Sequence, residues 1–174
     1  VPEGGKPLLG YVNGAEVKNL NIYGQKINGY GLVNDLHGVN LAGSAIVIDN
    51  VALKSGSSTL KSGLIGAEID KHFNSYAGAS AGFTVTVRNC TIEKDVVVGY
   101  DGTQSEIGSI AGRMQGTVEN CVSYATVKGV HYVGGIIGTK DNALGDCTVN
   151  NCTFGGTVEA SGNNAGGIVG GGYN

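Results

Sequence analysis

The sequence predicts an all-β chain wound as a β-helix, or β-solenoid, of about five coils of stacked parallel strands, and three observations predict it. The signature apolar, any, Asn, apolar, any, apolar reads as Val17-Lys18-Asn19-Leu20-Asn21-Ile22, Ile48-Asp49-Asn50-Val51-Ala52-Leu53, Val87-Arg88-Asn89-Cys90-Thr91-Ile92 and Val149-Asn150-Asn151-Cys152-Thr153-Phe154, with Val118-Glu119-Asn120-Cys121-Val122 as a shorter copy. Its asparagines stand at 19, 50, 89, 120 and 151, in steps of 31, 39, 31 and 31, and a period of that size marks a repeat architecture. A second word accompanies it, Gly31-Leu32-Val33-Asn34, Gly63-Leu64-Ile65-Gly66, Ser109-Ile110-Ala111-Gly112, Gly135-Ile136-Ile137-Gly138 and Gly167-Ile168-Val169-Gly170. Thirdly, short apolar segments are separated by glycine-rich corners, and none sustains a helical period.

Within each unit the first strand ends at the asparagine. Strict alternation would turn Leu20 and Ile22 away from the side that Val17 faces, so a bend at Asn19 must reset the phase. Asparagine tolerates the left-handed conformation such a corner needs, and its amide can bond the equivalent amide one coil away, giving an asparagine ladder. That ladder is expected to be inaccessible, which would close the sequons Asn89-Cys90-Thr91 and Asn151-Cys152-Thr153. A later apolar position, Val127 or Val158, marks the next strand, and the Gly-apolar-apolar-Gly word the one after it.

Stacking places equivalent residues about 4.8 Å apart, so each column of the repeat becomes a physical row. One inward row is Val17, Ile48, Val87, Val118 and Val149; the row after the corner is Leu20, Val51, Cys90, Cys121 and Cys152. The residue before each asparagine, Lys18, Asp49, Arg88, Glu119 and Asn150, alternates in sign and belongs outside, where opposite charges on adjacent strands attract.

The 174 residues read as a single domain spanning 1–174, expected to be a piece of a longer surface protein. The 32 glycines follow no three-residue period, which excludes collagen, and 41% apolar content is enough to build a core. A net charge of −3 with 11 scattered basic residues offers no phosphate-tracking surface, so nucleic acid is not an expected partner. No apolar run is long enough to insert in a membrane.

These two words together resemble the GLUG-motif repeats of large secreted and cell-wall bacterial proteins, among them adhesin-like proteins and the non-catalytic regions of some immunoglobulin A metalloproteases. The resemblance runs from Leu9 to Gly170 and implies that the β-helix is right-handed and displayed at a bacterial cell surface or outside the cell. It specifies no activity. Asn34 replaces the closing glycine of the first copy and Ser109 the opening glycine of the third, which reads as local loop remodelling.

Insertions gather at one corner, between the glycine word and the next asparagine signature, over 34–44, 67–83, 113–116 and 139–146. Insertions at one corner of a solenoid emerge along one edge, often the binding edge. Asp35, His37, Asp70, His72, Tyr76 and Asp141 are therefore the candidate ligand-binding residues. Tyrosine can stack on a sugar face while a carboxylate accepts hydroxyl hydrogen bonds, so the expected partners are host glycans or glycoproteins, besides neighbouring domains of the same polypeptide. Gly78-Ala79-Ser80-Ala81-Gly82 has the spacing of a nucleophile elbow without the strand-turn-helix setting that motif needs. Asp70 paired with Asp35 or Asp141 would suit glycoside hydrolysis, and a carbohydrate-active β-helix enzyme, glycoside hydrolase or polysaccharide lyase, is the rival reading. His37 and His72 lack close metal-ligand spacing, and no catalytic residue, cofactor or metal is assigned. The four cysteines show no disulfide or zinc spacing and read as free, buried thiols packed as small hydrophobes.

Overall fold

The computed structural model describes residues 1, 3–37, 45–65, 84–140 and 147–172, without the side chains of Tyr11, Asn13 and residues 34–37. Among the described residues the only regular elements are β-strands, and every paired strand is parallel to its neighbour. One sheet stacks β2 (Glu16–Ile22), β4 (Ala45–Leu53), β6 (Thr84–Arg88) with β7 (Thr91–Ile92), β11 (Gly116–Glu119) with β12 (Val122–Ser123), and β16 (Cys147–Asn150) with β17 (Thr153–Phe154). A second stacks β5 (Ser58–Thr59), β8 (Val97–Val98), β13 (Thr126–Gly129) and β18 (Thr157–Ala160), with Ile27 bridged to Thr59 ahead of them. A third holds β9 (Ile107–Gly108), β14 (Val133–Gly134) and β19 (Ala165–Gly166). In the last, β10 (Ala111–Met114), β15 (Ile137–Lys140) and β20 (Val169–Gly172) join β1 (Leu9–Asn13) and β3 (Val33–His37) through the bridges Val33 to Ile65 and Ile65 to Ala111. From β6 onward the chain visits the four sheets in one fixed order.

The register agrees with the repeat. Val17 pairs with Ile48, Ile48 with Val87, Val87 with Val118, and Val118 with Val149. The middle three of these are fully buried, each contributing about 1.5–3 kcal/mol relative to exposure. In the final layer Val149, Cys152, Phe154 and Val158 are only half-buried, because nothing among the described residues stacks on them.

All five signature asparagines have positive φ, from 48° to 59°, as the phase reset requires. Their side chains are exposed, which corrects the expectation of an inaccessible ladder: the bend turns each amide outward while its neighbours at −2 and +1 turn in. Asn50 Nδ2 donates to Asn19 Oδ1 at 2.9 Å and Asn151 Nδ2 to Asn120 Oδ1 at 2.7 Å. Asn89 instead donates to Asp49 Oδ1 at 2.7 Å, so the amide bonds join Asn19 with Asn50 and Asn120 with Asn151 and do not run through all five.

The glycine word has its own geometry. Leu64 O accepts from both Leu32 N and Val33 N, Ile110 O from Leu64 N and Ile65 N, Ile136 O from Ile110 N and Ala111 N, and Ile168 O from Ile136 N and Ile137 N. A Cβ on Gly63 would overlap the carbonyl of Ser109 in the next layer, and one on Gly135 would overlap that of Gly167. The opening glycine is thus a contact with the next layer. Ser109, expected to mark loop remodelling, is fully buried in this stack and its hydroxyl donates to the Gly135 carbonyl.

Candidate functional site

Of the residues proposed from sequence, Asp70, His72, Tyr76 and Asp141 lie outside the described residues. The backbones of Asp35 and His37 lie in β3, paired with Tyr11 and Asn13 of β1. The expected loop over 34–44 therefore begins as strand, as do those at Arg113 in β10 and Thr139 in β15. The glycine word opens a strand that continues past it, and the corner comes later than its polar residues suggest.

Two other features stand out on the described surface. The turn before β14 carries His131 and Tyr132, and the turn before β19 carries Gly162, Asn163 and Asn164; together they line an open groove of about 640 Å³. Glu106, Tyr132 and Asn164 occupy the same corner in three successive layers, all with positive φ. Tyr132 N donates to Asn163 O at 3.1 Å and Val133 N to Asn164 O at 3.0 Å, fixing the two turns together. His131 Nδ1 accepts from Asn163 N at 2.9 Å. That bond assigns the imidazole proton to Nε2 and makes the ring a donor on its other side. Glycines floor the rings: a Cβ at Gly162 would overlap the His131 imidazole, and one at Gly171 would press on the Tyr132 ring at 2.5 Å. Among the described residues the lining has aromatic surface, amide donors and acceptors, and no carboxylate, lysine or arginine. Such a surface suits an uncharged, hydroxyl-rich ligand.

The second feature is an outward row four residues after each asparagine corner: Tyr23, Lys54, Glu93, Tyr124 and Gly155, in successive layers. Lys54 and Glu93 form an ion pair, and Glu93 Oε2 also accepts from Ser55 N at 3.0 Å. The Lys54 ammonium, with the Ser55 amide, holds the Glu93 carboxyl below its ordinary range, and Glu93 in turn raises Lys54. Tyr23 and Tyr124 flank this pair and are 59% and 41% exposed, placing aromatic faces in solvent. Lys94 Nζ lies 6.0 Å from the Tyr124 ring centroid, at the outer limit of a cation–π contact. Tyr124 rests on Gly155 as His131 rests on Gly162.

Sequence carried a signal for both that polarity counting missed. Gly155 and Gly162 follow Tyr124 and His131 by one 31-residue period. A ring succeeded in its own column by glycine has a flat seat in the next layer.

In the neighbouring charge row the register sets Lys18 beside Asp49, Asp49 beside Arg88, and Arg88 beside Glu119 as expected. Only Asp49 and Arg88 form an ion pair within it, while Lys18 Nζ pairs with Glu16 Oε2 at 2.8 Å. Arg88 Nη2 sits 2.9 Å from Asp49 Oδ2, and the Asn89 amide and then Arg88 hold the Asp49 carboxyl below its ordinary range. Such exposed pairs read as structure. Comparison of the chain with family models, with curated proteins and with solved structures gives no match.

Proposed function

We propose that the chain is a right-handed parallel β-helix of about five coils that serves as a non-catalytic scaffold and adhesion module of a bacterial extracellular or cell-surface protein, and that it binds neutral glycan on host glycoproteins. The observation that carries the binding reading is the glycine-floored groove of His131, Tyr132, Asn163 and Asn164, held in place by backbone bonds between two layers. A sugar ring packs on the aromatic faces while its hydroxyls exchange hydrogen bonds with the two amides and the imidazole. The insertion edge with Asp35, His37, Asp70, His72, Tyr76 and Asp141 is the second contact surface in this reading. Neighbouring domains of the same polypeptide would continue the scaffold.

The test is a glycan array probed with the parent, with Tyr132→Ala, and with a variant whose 67–83 segment is shortened to four residues. Loss of binding in Tyr132→Ala at equal folded fraction supports the groove. Loss only in the shortened variant moves the site to the insertion edge. No binding by the parent removes the glycan reading, and release of reducing sugar by the parent replaces it with the carbohydrate-active enzyme.

A further inference from the structure

Three of the four thiols share one inward column, continuing Leu20 and Val51 as Cys90, Cys121 and Cys152. Their environments repeat. Cys90 Sγ lies 3.2 Å from Arg88 O and 3.9 Å from Ile48 O; Cys121 Sγ lies 3.3 Å from Glu119 O and 3.8 Å from Val87 O; Cys152 Sγ lies 3.2 Å from Asn150 O and 3.7 Å from Val118 O. Three sulfurs with the same contacts in successive layers are related by the layer translation, which is about 4.8 Å. All three are free thiols, and the parallel direction of side chains on stacked strands keeps them from closing a disulfide.

A metal–thiolate bond is about 2.3 Å long, so a metal midway between two such sulfurs meets both at bonding distance on a nearly straight line. Soft thiolates select cuprous copper, zinc or iron–sulfur clusters. Zinc and iron–sulfur clusters take four converging ligands, and among the described residues no three or more His, Cys, Asp or Glu side chains converge. Cuprous copper has no such requirement. We infer that the column Cys90, Cys121 and Cys152 is a binding site for Cu(I), held two-coordinate between sulfurs of adjacent layers.

Binding breaks two S–H bonds, forms two Cu–S bonds and releases two protons to solvent, leaving a bis-thiolate unit of charge −1. The third thiol of the column stays protonated and keeps its carbonyl contacts. Two of the carbonyls that lose a thiol donor keep another: Glu119 O also accepts from Asn89 N, and Asn150 O from Asn120 N, each at 3.1 Å. Cys152 sits in the half-buried final layer and is the point of entry.

The experiment titrates the reduced full chain, without oxygen, with Cu(I) in competition with a chromophoric chelator, and reads sulfur coordination by X-ray absorption. The parent is expected to take one equivalent with two sulfur ligands and no nitrogen. Cys121→Val, a substitution the column already tolerates at Val51, removes both adjacent pairs and should abolish uptake and the accompanying rise in melting midpoint. Cys90→Val and Cys152→Val each leave one adjacent pair and should keep the equivalent, as should Cys147→Ala. Retained uptake in Cys121→Val, loss in Cys147→Ala, nitrogen ligands, or a parent that cannot compete with the chelator would each overturn the assignment.

Discussion

Replacing Asn120 separates two contributions that the asparagine corner combines. Its φ is +53°, and its Oδ1 accepts from Asn151 Nδ2 at 2.7 Å. Alanine would lose a bond worth about 0.5–1.5 kcal/mol net, at the lower end here because the pair is exposed. It would also pay about 1–2 kcal/mol for the left-handed conformation. The sum is about 1.5–3 kcal/mol. Glycine loses the same bond and adopts the conformation freely, but adds about 0.4–1 kcal/mol of chain entropy to the unfolded state. Asn120→Ala should therefore be less stable than Asn120→Gly by about 0.8 kcal/mol, the difference between the central values of the two costs, in urea unfolding with unchanged slope. A cycle with Asn151→Gly isolates the amide bond. Equal stability of the alanine and glycine variants would show that the corner does not enforce its φ, and two neutral variants would remove the ladder from the energetics.

Gly63→Ala puts a methyl group onto the Ser109 carbonyl and should cost at least about 2 kcal/mol in the same assay, since backbone of the next layer cannot yield as a side chain would; a neutral result would mean the layers can part there. Asp49 has a folded pKa below its unfolded value of about 3.9, so its contribution is present above that pH and is lost as pH falls through the folded value. The stability gap between parent and Asp49→Asn should accordingly shrink below about pH 4, and a gap unchanged at pH 2 would refute the pairing. Burial pushes the Cys147 thiol up to about 11, so at pH 8 it should react with a disulfide reagent far more slowly in native than in urea-unfolded protein. Equal rates in the two states would show it solvated.

Register was the most legible property of the sequence, and for a physical reason. A column residue such as Val87 meets Ile48 on one side and Val118 on the other, so its environment repeats and its residue type repeats with it. Exposure of the asparagines was not legible, because the left-handed bend and the ladder bond are compatible with an amide facing either way. Ser109 was misread for a related reason: a serine in place of glycine looks like a break, and only the position of the Gly135 carbonyl shows that the hydroxyl is used. The candidate site was the least legible. Loop polarity pointed to one edge, whereas His131 and Tyr132 lie in short turns whose value depends on the glycines of the following layer.

The alternating outward row bears on how such a chain avoids folding wrongly. Every layer offers nearly the same apolar surface, so a nascent strand that skipped its proper neighbour and docked one layer too early would still bury valine and isoleucine against valine and isoleucine. The row Lys18, Asp49, Arg88, Glu119 distinguishes the two outcomes. Correct order sets opposite signs together, whereas skipping a layer sets Lys18 beside Arg88, or Asp49 beside Glu119. Like charges directly opposite one another repel, and the repulsion falls on an error that the core cannot detect. Salt screens such exposed charges, so the fraction of chains that refold correctly, more than the stability of those that do, is where ionic strength should be felt.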